Sequence, residues 1–101
     1  MAFENGAFSA TLAAAAGEDA ALHAELREAF RESVEQQVDL LSRARCDGNW
    51  IVAAQRIKGL AASFHAEPLM ALAQEAIESA PGDPVILRKL AGFVRKFDSA
   101  D

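Results

Sequence analysis

Between Leu22 and Leu41 the apolar residues Leu22, Leu26, Phe30, Val34, Val38 and Leu41 recur every three or four positions. This is the spacing of one face of an α-helix, at about 3.6 residues per turn, and not the alternation of a strand. A helix this long, with a single apolar stripe, folds only by covering that stripe with other elements. No strands are on offer, because the β-branched residues are scattered and no period-2 run is bounded by turns. An all-α fold is therefore expected.

Glycine and proline punctuate the rest. A short first helix is expected over residues 8–16, closed by Gly17. The long second helix is expected over 19–45, with acids in its first half and Arg43 and Arg45 in its last turn, as the helix dipole favours. After "CDGN" a third helix is predicted over 50–65, with Asn49 as its N-cap. Pro68 suits the first turn of a fourth helix, 67–79. Asp83 followed by Pro84 reads as an N-cap and an N1 proline opening a fifth helix to about residue 97, with Ile86, Leu90, Phe93 and Phe97 inward. "DSAD" reads as a frayed end. Short connections between amphipathic helices predict an antiparallel up-down four-helix bundle, with the short first helix capping one end. The 101 residues suit one domain, with its core over about 8–97.

Charge narrows the function classes. The net charge is −5. All of the excess lies before Gly48, where nine acids face four bases. An acidic chain with no basic cluster is a poor partner for phosphate backbones, so no nucleic-acid binding is expected. No apolar run approaches the length of a membrane span, and "MAFENGAF" has no basic n-region. No membrane partner and a cytoplasmic location are the expectations. Cys46 is the single cysteine, read as a small buried or half-buried thiol rather than a nucleophile. His23 and His65 share no ligand spacing with each other or with Cys46, and no catalytic triad or glycine-rich phosphate loop can be assembled. No enzyme activity, metal or cofactor is expected.

The third helix is the unusual one. Ala53, Ile57, Leu60, Ala61 and Phe64 form its apolar face. Ile51, Gln55, Lys58, Gly59 and Ala62 share the other by i, i+3 and i+4 spacing. On that face Ile51 is apolar yet expected to point outward. Gly59 costs about 1 kcal/mol against alanine in a helix interior. From Gly48 to Ala66 there is no acid at all. Two accounts are open. A neighbouring loop covers Ile51 and Gly59 lets helices pack closely, or the face receives a partner.

"AQRIKGLAASFHAEPL" resembles the active helix of histidine-containing phosphotransfer domains, whose pattern is roughly His-x-Leu-Lys-Gly followed by small residues. Ile57, Lys58 and Gly59 match Leu-Lys-Gly, Ala61 and Ala62 match the small run, and Ala66 and Leu69 match the tail. The long helix before it, with the turn leading to Trp50, is also similar, so the resemblance spans about residues 8–97. Two positions depart. Gln55 stands where the family has its phospho-accepting histidine, and His65 where it has a later glycine. The resemblance implies that Lys58 would lie near a phosphoryl group and that Gly59 would leave room for a partner. An imidazole can attack phosphorus, but an amide nitrogen has given its lone pair to the carbonyl, so Gln55 cannot carry a transferable phosphoryl group.

The resemblance thus implies a phosphorelay signalling module without its acceptor. It would bind a response-regulator receiver domain or a histidine kinase through Ile51, Gln55, Arg56, Lys58, Gly59 and Ala62, as a monomer or weak homodimer. A structural or homodimeric helical protein with only architectural likeness is the alternative. A working phosphotransfer protein with another acceptor, His65 or His23, is a third.

Overall fold

A computed structural model describes residues 6–99. Five helices account for most of it: α1 Gly6–Ala16, α2 Ala20–Arg43, α3 Asp47–Ser63, α4 Glu67–Ile77 and α5 Pro84–Ser99. Among the described residues there is no strand, and the all-α expectation holds. α2 packs on α3, α3 on α4, α4 on α5, and α5 back on α2, while α1 packs on α2.

The helix ends follow local chemistry. Gly17 closes α1 at φ 64°, a conformation that costs glycine no steric clash. Asp19 caps α2, its carboxylate accepting the Leu22 N–H at 3.0 Å. Asp83 does the same for α5, accepting from Val85 N–H at 2.9 Å ahead of Pro84. α2 stops at Arg43, two residues short of the expected end, and α4 stops at Ile77. α5 runs on to Ser99, so the expected frayed end is helical through that residue, and its last two positions lie outside the described residues.

Asn49 is not the N-cap of α3. The helix starts at Asp47 with Cys46 in the cap position, and Trp50 N–H already bonds to the Cys46 carbonyl at 3.0 Å. At this helix start the Cys46 thiol is exposed, not buried or half-buried as expected. Asp47 in the first turn suits the positive end of the dipole, so an acid there begins the helix before the asparagine is reached.

The core runs the length of the molecule. Trp50, Ile57, Leu69, Ile86 and Leu90 are fully buried, with small Ala54, Ala61, Ala73 and Ala76 letting α3 and α4 approach closely. Trp50 donates its indole N–H to the Ala76 carbonyl at 2.7 Å, satisfying an acceptor in the last turn of α4. Phe8 of α1 joins Phe30 of α2 (5.0 Å between centroids) and Phe97 of α5 (5.8 Å), and Phe30 meets Phe64 at 4.9 Å. Leu22 departs from the expected inward stripe: it is 37% exposed, because eight residues of helix turn it about 80° from the direction of Phe30.

Candidate docking face on α3

The outward face of α3 carries Gln55, Arg56, Lys58, Gly59 and Ala62, all exposed. One of the expected set is displaced. Ile51 is half-buried and packed against the core, so it is not the outward apolar contact the spacing suggested. It lies toward the α4 side of the face, where the 17-residue helix is covered by its neighbour. The exposed apolar residue is Val52 instead, at 45%.

Gly59 stands in open space. A Cβ placed on it meets no atom within 4 Å. The account in which Gly59 lets two helices of this chain pack closely is thereby excluded, and the glycine's helical cost has no return inside the fold.

Lys58 does not hang over Gln55. Its Nζ donates to Gln74 Oε1 of α4 at 2.8 Å, and Gln74 Nε2 donates on to Glu78 at 2.9 Å. The ammonium is drawn toward α4. Arg56 projects the other way, toward α2, where it borders two concavities. One, of about 430 Å³, is lined by Ser33, Gln36 and Gln37 of α2 and by Arg56, Gly59, Leu60 and Ser63 of α3. The other, of about 330 Å³, includes Leu40, Arg43, Val52 and Arg56. Gln37 Oε1 is buried beside the first and accepts no hydrogen bond from the described residues.

Sequence reasoning missed Gln74, Gln37, Leu40 and Val52. Val52 had a signal, since it stands three positions before Gln55 and so shares its face. Gln74 had none, because 16 positions of chain separate it from Lys58.

His65 is exposed and sits at φ 57°, in the left-handed region. Ala66 N–H bonds to the Ala61 carbonyl at 2.8 Å and His65 N–H to the Ala62 carbonyl at 3.2 Å, the paired pattern that closes a helix and usually has glycine at this place. The Thr11 hydroxyl lies 2.9 Å from the Ala7 carbonyl and 2.8 Å from His65 Nδ1. His65 is thus tied to α1, far along α3 from Gln55. His23 is half-buried near the start of α2. Among the described residues no group of three or more His, Cys, Asp or Glu is placed to hold a metal, and no helix is long and apolar enough to cross a membrane.

Compared with known proteins, the chain matches no family model, no curated protein and no solved structure.

Proposed function

We propose that this chain is a phosphorelay docking module of the histidine-containing phosphotransfer type, with α2 to α5 as an antiparallel up-down four-helix bundle and α1 across one end. It binds a receiver domain through the outward face of α3 and relays no phosphate. The closed ring of helix contacts supports the bundle. The observation that carries the function is Gly59: a mid-helix glycine, exposed, with open space where its side chain would be. None of the described residues uses that space, whereas an approaching partner backbone would.

The chemistry of the face fits an acidic pocket edged by apolar residues. Arg56 supplies charge, Val52 and Ala62 supply apolar area, and the face bears no acid. Charge of opposite sign speeds encounter more than it tightens the complex. Gln55 fills the volume of an imidazole and offers hydrogen bonds, but its amide has no nucleophilic lone pair.

The test is a titration with receiver domains from the same cell. Gly59→Leu abolishes binding while the helical content stays unchanged. Arg56→Glu slows association at low salt more than Lys58→Glu does, because Lys58 is already engaged by Gln74. Incubation with a phosphorylated receiver leaves the protein unlabelled. Equal binding by the parent and Gly59→Leu defeats the docking reading, and acid-labile label on the protein defeats the claim that no phosphate is relayed.

A further inference from the structure

We propose that this protein self-associates as a two-fold symmetric dimer in which the outer flank of α2 packs antiparallel against α2 of a second copy. The inference goes beyond the docking face on α3 and does not depend on it.

α2 carries a second stripe beside its buried one. Leu22, Glu25, Ala29, Ser33, Gln36, Leu40 and Arg43 follow one another at steps of three and four, and all but the half-buried Ser33 are exposed. Among the described residues, Leu22 and Leu40 are two of the four large apolar residues left most exposed, at 37% and 42%. They are 18 positions apart, about five full turns, so they lie in line along the helix, roughly 27 Å from each other. Between them the small side chains of Ala29 and Ser33 leave room for a helix to come close.

The charges along the same helix choose the occupant and its direction. Glu18, Asp19 and Glu25 lie at or near the start of α2, and Arg43 and Arg45 at or just past its end. A parallel pair would set acid against acid and base against base. An antiparallel pair sets each acidic end against the basic end of the second copy, and it opposes the helix dipoles favourably. With the axis midway between Leu22 and Leu40, Leu22 of one copy meets Leu40 of the other, Ala29 meets Ser33, Asp19 comes level with Arg43, and Glu18 lies one position from it. The surface is complementary to itself, as a closed two-fold interface requires. A seat for the incoming Leu22 is already present: the concavity of about 330 Å³ between Leu40 of α2 and Val52 of α3. Arg43 pairs at present with its own Asp39 at 2.9 Å, both side chains being more than half exposed. That bond is cheap to exchange for one across the interface.

Sedimentation of the full chain from micromolar to millimolar concentration at low salt is the test. The parent is expected to move from monomer to dimer, with the transition shifting to higher concentration as salt is added. Leu40→Glu and Leu22→Glu, both at exposed positions, are each expected to weaken the dimer by about tenfold or more, or about 1.4 kcal/mol. Helical content, followed by circular dichroism, should stay as in the parent. Glu18→Arg and Arg43→Glu each weaken it, and the two together in one chain restore it. A chain that stays monomeric throughout overturns the proposal. So does a dimer that ignores both leucine changes, or a double charge reversal no better than the single ones. Leu40 and Arg43 share a concavity with Val52 and Arg56 of the α3 face, whereas Leu22 lines neither concavity beside Arg56. Loss of the dimer in Leu22→Glu with receiver binding by the monomer retained therefore separates the two results.

Discussion

Two residues hold backbone conformations or positions that their side chains do not favour, and each makes a measurable difference. Gly59 has room for a methyl group, so Gly59→Ala is expected to raise stability by about 0.5–1 kcal/mol, read from urea unfolding. A partner needing the gap would bind that variant less well, and the gain in stability with loss of binding separates a functional glycine from an accidental one. His65 occupies a left-handed corner that glycine adopts without strain. His65→Gly is expected to raise stability by up to about 1 kcal/mol, less the loss of its exposed bond to Thr11, again from unfolding midpoints. The glycine-for-histidine difference at this corner was legible only as a departure from a pattern. The strain itself was not, because φ is set by where α3 stops and α4 begins. Ile51 shows the opposite failure. Its spacing suggested an outward position, but the α4 edge of that face is covered and the side chain packs against the core.

Among the helices, α2 was the most legible and also the most incompletely read. Its inner stripe from Leu26 to Leu41 was plain because a repeated three-four step over about four turns has no strand equivalent. The outer stripe was hidden by its composition, since alanine, serine and glutamine carry no hydrophobic signal between the two leucines. The cap of α3 was misread because aspartate and asparagine compete within three residues and both favour helix starts. α2 also carries a charge triplet. Arg31 bonds Glu28 (2.6 Å) and Glu35 (2.7 Å), one turn to either side. The hydrogen bond from Arg31, aided by its charge and that of Arg27, holds the Glu28 carboxyl below its ordinary range. A carboxyl depressed in the folded state stabilises above its unfolded value, and that contribution is lost as pH falls through the folded one. Melting temperatures at pH 7 and pH 3 should therefore differ more in the parent than in Arg31→Met. The effect is small, because Glu28 is open to solvent.

The molecule is elongated, 44 by 21 by 18 Å, and α2, 24 residues or about 36 Å long, runs along most of that length. α1 is held to it chiefly by Phe8 and Leu12, both fully buried, and by the Thr11–His65 contact. Phe8→Ala should cost about 3–5 kcal/mol if α1 stays docked. If α1 instead opens locally, hydrogen exchange should show its amides unprotected while those of α3 and α4 keep their protection. Phe64 and Trp50 stand 14 positions apart on α3, so the aromatic cluster around Phe8 and the indole bonded to Ala76 occupy different stretches of the core. That indole gives the protein an optical property. The chain has one tryptophan and no tyrosine, and the tryptophan is fully buried. Its emission therefore comes from a single apolar place at the junction of α3 and α4. It should be blue-shifted in the native state, move to the red when that junction opens, and stay unchanged when something lands on the outward face of α3 or the flank of α2. Each substitution above can be checked for folding by its own light, without a label.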